Sequence, residues 1–416
     1  GPLPHLRHRL TRRTLNMMAI GVLAFVVALL VSVMIHEAGH FVTAKLFGMK
    51  ATQFFVGFGP TLWSRRRGET EYGVQAIPAG GFVKIIGMTP LEDVAPEDQP
   101  RAFINKPGWQ RFIVLVAGST MHFVIALVLL LILLLGWPSN LHGAAQVGTV
   151  ENCVSTTTDQ SCPAGAPPAP ALGKFKPDDV ITAVNGQPVV HGSQQLTSLI
   201  GNAAPGPITF TVQRAGSTLN LVVTPVVVDG RSRVGIQVGD AKNATYTRVG
   251  VAGAVTGAFK MFGTFFVGSF KAFGIVPHEI GQLISHPAAK REVSANGGGG
   301  QVTSVFGVAR FAGQAFQADG FSGGVATVVE IVASVNIFVG IFNLFPFLPL
   351  DGGHVAILFY EKVRNAWRRR RHLIAAGPVD LNKLMPFTYG VLAIIVAVSA
   401  LILVADIANP VANPFG

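Results

Sequence analysis

His36-Glu37-Ala38-Gly39-His40 sets two imidazoles four positions apart, with a carboxylate beside the first. An α-helix turns once in 3.6 residues, so a step of four returns to the same face. On a helix, His36 and His40 can therefore hold one Zn²⁺ together. Glu37 projects beside the pair, placed to take a proton from a water that the metal polarises. The motif closes a run, Leu15 to Ile35, that contains no charged residue and is long enough to cross a bilayer. Ionisable groups at that depth are costly and mark function. The bland alternative is a trio of polar residues capping a membrane helix.

A catalytic zinc takes three protein ligands and keeps a position for water. The candidate third ligand is Asp351, at the end of another apolar run, in Asn343-Leu344-Phe345-Pro346-Phe347-Leu348-Pro349-Leu350-Asp351-Gly352-Gly353-His354. Pro346 and Pro349 interrupt regular helix there, and the two glycines let the backbone turn. His354 is the lesser candidate and reads as a bystander. His278-Glu279 is set aside, because Gln282 stands where a second histidine would be needed.

The elements that must position these residues are membrane helices. Half of the 416 residues are hydrophobic, 13% are charged and the mean hydropathy is +0.48, the balance of a polytopic membrane protein. The formal charge of +11 does not point to nucleic acid, because the arginines bunch beside the apolar runs. Four runs predict four spans: Leu15 to Ile35, Phe112 to Trp137, the stretch between Glu330 and Asp351, and Leu384 to Ala405. Arg65-Arg66-Arg67 and Arg368-Arg369-Arg370-Arg371 make the first and third loops cytoplasmic, which leaves about Ser139 to Ser322 outside. His36 and Asp351 then lie toward the same membrane face. The N-terminal Arg7, Arg9, Arg12 and Arg13 oppose this orientation, although Gly1-Pro2 looks like a cleavage scar and part of the tail reads as foreign.

In the first loop, Glu71 to Ile77 and Phe82 to Ile86 read as strands split by Pro78-Ala79-Gly80-Gly81, a turn signal, and predict two short hairpins. These either cover the mouth of the bundle or offer an edge to which an extended peptide adds as a strand. In the long external segment, Cys153 and Cys162 predict a disulfide in an oxidising compartment. Leu172 to Val189 resembles the core of a PDZ domain, with strands expected at 145–150, 208–213 and 219–224 and a turn at Ala215-Gly216. That resemblance implies a groove for a peptide ligand. Val249 to Ile275, phenylalanine-rich but carrying Lys260 and Lys271, is expected to lie on the membrane surface with its aromatic stripe used for packing. Asn296 to Gly300 reads as a flexible break.

Together, His36-Glu37-Ala38-Gly39-His40, the PDZ-like segment and Leu350-Asp351-Gly352 make the chain similar to the site-2 protease family of intramembrane zinc metalloproteases, in the bacterial, actinobacterial-type branch with one extracytoplasmic PDZ domain. The resemblance implies a polytopic α-helical membrane protein with four transmembrane helices, cytoplasmic membrane-associated β-hairpins and an inserted α+β PDZ domain. The expected divisions are a tail at 1–14, the first span at 15–48, the hairpin region at 49–110 and the second span at 111–138. They continue with the PDZ domain at 139–240, a surface helix and glycine-rich linker at 241–325, the third span at 326–353, a basic loop at 354–383, and the fourth span and tail at 384–416. By resemblance, His36, His40 and Asp351 bind one Zn²⁺ and Glu37 is the general base. Asn343 and the hairpin edge at Gly80, Gly81 and Phe82 hold unwound substrate. The family's second-helix Gly-Pro-x-x-Asn element is replaced by Gly118-Ser119-Thr120-Met121-His122, so His122 stands where asparagine is expected and can still donate a hydrogen bond to a substrate backbone. The implied activity is cleavage of single-pass membrane proteins of the anti-sigma factor class in a bacterial cell membrane, after a first protease has trimmed them. A catalytically silent metal-binding chaperone and an ion transporter are the alternatives.

Overall fold

The computed structural model describes residues 4–88, 94–138, 140–154, 162, 166–204, 206–228, 231–285, 303–318, 320–374, 376–377 and 379–411. The Gly1-Pro2 pair and the break at 296–300 lie outside them. The chain divides into two compact units, Gly1–Leu133 with Ala258–Val293 and Gly300–Gly416, and Leu134–Gly257 with Ser294–Gly299.

The first unit is a helical bundle. In chain order its elements are α1 (Pro4–Leu46), strands β1 (Ala51–Arg67) and β2 (Thr70–Ile85), and α2 (Gly108–Gly136). α3 (Gly192–Gly201) belongs to the second unit. There follow α4 (Val251–Ser285), α5 (Val305–Ala318), α6 (Gly320–Asn343), α7 (Asp351–Arg370) and α8 (Met385–Ala408). Among the described residues, five helices are long and apolar enough to cross a membrane: Asn16–Leu46 of α1, α2, α4, α6 and Asn382–Ala408, which contains α8. Leu23, Val31, Ile394 and Val404 stay exposed on these helices, as side chains facing lipid would.

α1 stops for a local reason. Gly48 takes a positive φ of 67°, its N–H bonds to the Lys45 carbonyl and the Met49 N–H to the Ala44 carbonyl, closing the last turn. Buried Met49 then packs with Ala44, Ile85, Phe103 and Leu115, which joins the end of α1 to β2 and the start of α2. α1 and α6 run in parallel: Phe25 packs with Val328 and Val332, and further along Ser32 meets Asn336. α5, which the sequence does not announce, packs on α1 through small residues. A Cβ on Gly21 would stand 2.5 Å from the Ala312 carbonyl oxygen.

The first loop differs from expectation. In place of two short hairpins there is one long one, and Pro78-Ala79-Gly80-Gly81 lies inside β2 rather than in a turn. The pairing slips along its length, so that segment 53–56 has partners 81–84 on one side and 71–74 on the other. Positive φ at Gly57, Gly59 and Gly80 lets both strands bend without breaking. The turn is fastened from outside: Glu69 takes a two-pronged contact from Arg101, at 2.7 and 2.8 Å, and a hydrogen bond from Lys45.

The aromatic stripe of α4 is used for packing. Phe262 and Phe266 pack on Phe123 of α2, while Phe273 packs on Phe338, Phe342 and Phe345 at the end of α6.

The second unit is an antiparallel sheet, in the order Ile236–Asp240, Ala145–Val150, Val180–Val184, Ile208–Arg214, Ser217–Val223, with α3 against it. Ile208, Phe210 and Val212 alternate inward to meet Val147, Ile181 and Leu196. Positive φ at Ala215 and Gly216 forms the two-residue turn between the last two strands of that order. Cys153 and Cys162 are joined in a disulfide. Asp179, 1% exposed, accepts two hydrogen bonds from Arg214 and one from the Lys176 N–H.

Arg214→Ala strands that buried carboxylate and should destabilise the second unit by about 3 kcal/mol, read as a lower unfolding temperature of the full chain. The Arg101 and Lys45 contacts hold the Glu69 carboxyl down to about 2, from 4.5. The folded value lies below the unfolded one, so the hairpin clamp is intact above about pH 4.5 and fades as the pH falls toward 2. Hydrogen exchange of the hairpin amides should speed up across that window by an amount matching about 1 kcal/mol or less.

Candidate metal centre

The site forms where three helix segments meet. α1 contributes His36, Glu37 and His40. α2 runs antiparallel beside it and lays Gly118 against both imidazoles, where a Cβ would stand 2.4 Å from His40 Nε2 and 2.5 Å from His36 Cε1. Asp351 enters as the first residue of α7, just beyond the loop that ends α6. That loop turns so tightly that a Cβ on Gly352 would stand 2.2 Å from the Leu344 carbonyl oxygen.

Three donor atoms converge. His36 Nε2 and His40 Nε2 are 3.2 Å apart, and Asp351 Oδ2 lies 3.5 Å from the first and 3.3 Å from the second. Ligands bonded at about 2.0–2.1 Å to a tetrahedral zinc stand about 3.3 Å from one another. The triangle therefore already has the size that the ion requires. His40 Nδ1 donates to the Val114 carbonyl oxygen at 2.7 Å, so its Nε2 presents a lone pair inward. Asp351 Oδ2 is buried with no hydrogen-bond donor among the described residues. Two imidazole nitrogens and a carboxylate oxygen are the donor set that zinc prefers in hydrolases, and the residues fit the group.

Of the other expected site residues, Glu37 comes within hydrogen-bonding reach of the Val83 N–H, beside Gly81 and Phe82. A Cβ on Gly81 would meet the Met34 sulfur at 2.7 Å, so this strand lies directly along α1. Segment 81–84 has 53–56 on one side and no further strand on the other among the described residues. Gly80 precedes it within β2, half-buried and with a positive φ of 140°. Asn343 is the last residue of α6, half-buried, and makes no side-chain hydrogen bond among the described residues. His354 stands apart from the donor triangle, lining a small cavity of about 40 Å³ with Phe103, Arg111 and Glu361.

His122 is held in place by its neighbours. Its ring lies 4.8 Å from that of His36, centre to centre, and its Nδ1 is 2.7 Å from Asn336 Oδ1. Asn336 in turn donates to Ser32 Oγ, which sits one turn before His36 on α1. Asn336, Ser32 and Gly118 are the residues that sequence reasoning passes over. Asn336 is visible only as a polar interruption of an apolar run. Gly118 matters through a side chain it lacks.

The sequence profile of peptidase family M50 matches residues 24–379. The chain belongs to that family. It is 36% identical over 411 residues to the zinc metalloprotease Rip1 of Mycobacterium tuberculosis, which covers 95% of this chain and 99% of that protein. Rip1 of Mycolicibacterium smegmatis is 37% identical over 421 residues, covering 95% and 98%. Metalloprotease MmpA of Caulobacter vibrioides is 28% identical over 383 residues, covering 83% and 88%. As an M50 peptidase, the chain is a zinc-dependent metallopeptidase with the apolar helices of a multi-pass membrane protein.

Gly118→Ala should drive a methyl group into both imidazoles. Zinc per chain, measured by metal analysis of the purified protein, should fall to a small fraction of the wild-type value.

Proposed function

We propose that the chain is an intramembrane endopeptidase in which His36, His40 and Asp351 hold one zinc ion and Glu37 is the general base. The observation that carries this reading is the triangle of donor atoms spaced at 3.2–3.5 Å, closed by residues from α1 and the start of α7. The ion supplies Lewis acidity, polarising a peptide carbonyl and acidifying a water. Glu37 takes the proton of the attacking water and returns it to the departing amine. The Val114 carbonyl keeps His40 in the ligating tautomer. Edge 81–84, beside Glu37, accepts an unwound stretch of substrate as an added strand, with Gly80, Gly81 and Phe82 in contact and Asn343 offering its amide.

Substrates of this reading are single-pass membrane proteins, with the anti-sigma factor class favoured by the sequence resemblance, trimmed first by another protease. Four crossings suit the packing better than five. α1 and α6 are parallel and α2 is antiparallel, so one further complete crossing between α2 and α6 would turn Asp351 away from His36. α5, at 14 residues, spans about 21 Å and cannot return the chain across a core of about 30 Å. α4 thus packs on the bundle without completing a passage. Arg65–Arg67 and Arg368–Arg371 place their loops in the cytoplasm of a bacterial cell, with the metal centre toward that face. The second unit then lies outside, where its disulfide is at home, as a PDZ domain with a groove for a peptide.

The deciding experiment compares cleavage of a membrane-tethered substrate by wild type and Glu37→Gln. Zinc content should be unchanged while cleavage falls about a hundredfold or more. Equal rates would end the general-base assignment.

A further inference from the structure

We infer that Asn336 is a positioning residue that fixes His122 as a hydrogen-bond acceptor beside the metal ligands, so that His122 Nε2 receives a backbone N–H of the peptide to be cleaved. The last step rests on the protease reading above; the tautomer does not.

The direction of each bond follows from its neighbours. Asn336 Nδ2 lies 2.8 Å from the Val332 carbonyl oxygen and 3.0 Å from Ser32 Oγ. The Ser32 hydroxyl hydrogen is already given to the Ala28 carbonyl, 2.9 Å away, so Ser32 Oγ accepts. Both amide hydrogens of Asn336 are then used, and the atom it turns to His122 is Oδ1, which has no hydrogen to offer. His122 Nδ1, 2.7 Å away, must carry the proton of that bond. A neutral imidazole has only one N–H, so Nε2 is left as a bare lone pair.

The only hydrogen bond of this ring among the described residues is made by Nδ1, and the residue as a whole is 2% exposed, so little water reaches the lone pair. An acceptor in so enclosed a place gains from a ligand that brings a donor. Ser32, His36 and His40 lie at four-residue steps along one face of α1, so the Asn336–Ser32 contact fixes His122 in register with the metal ligands. An apolar membrane segment, once unwound, has little to offer a lone pair except backbone N–H groups. This reverses the donor role that the sequence suggests for His122.

The full chain, labelled with ¹⁵N in its histidine rings, tests the first step directly, with His122→Asn assigning the signals. Wild type should show His122 protonated at Nδ1 and bare at Nε2. Asn336→Leu should lose that preference with the zinc-to-protein ratio unchanged. The same substitution should lower kcat/KM about tenfold, chiefly through KM, which matches one neutral hydrogen bond. In a His122→Phe background, Asn336→Leu should cost nothing further beyond about twofold. A wild-type ring protonated at Nε2 overturns the proposal, and does so even if Asn336→Leu fails to fold. An equal loss in both backgrounds makes Asn336 structural only and overturns it as well. A chain that cleaves nothing refutes the protease reading and with it the substrate contact, while the ring nitrogens still decide the tautomer.

Discussion

Two imidazole lone pairs and a carboxylate oxygen held within 3.5 Å of one another, among apolar helices, repel unless a cation lies between them. The rest of the first unit reads as the machinery that forces this approach. α1 and α2 come close enough because Gly118 has no side chain to hold them apart. α6 can deliver Asp351 because its last turn gives way to a proline loop and two glycines packed against backbone. A fold assembled around such a cluster binds its ion as part of its own stability.

Much of this was open to a reader of the sequence, for identifiable reasons. The step from His36 to His40 is one helical turn, which any helix honours, and Asp351 stands out as a carboxylate at the end of an apolar run. The strands at 145–150 and 208–214 appear where the sequence puts them, the second with clean alternation of buried residues. The hairpin misled because Pro78-Ala79-Gly80-Gly81 has the composition of a turn, while a bent sheet with glycines on both strands absorbs it as strand. α5 stayed hidden because its helical pattern is carried by alanines and glycines, whose value lies in letting a neighbour approach. α4 was readable as apolar and aromatic, but which helices it meets depends on contacts between Phe273 and residues far along the chain.

The polar groups inside the bundle show a shared logic. Ser32, His36, His40, His122 and Asn336 are all buried, and along Ser32, Asn336 and His122 each bond sets the hydrogen position of the next. Such a chain holds a unique arrangement where apolar packing alone would tolerate several.

Parallel α1 and α6 have a consequence for biogenesis. The first two candidate ligands precede the third by about 300 residues, and Asp351 reaches them only when α6 lies beside α1. A nascent or truncated chain carries the glutamate and both imidazoles yet cannot close the site. Hydrolytic competence therefore waits on the distant segment that carries Asp351.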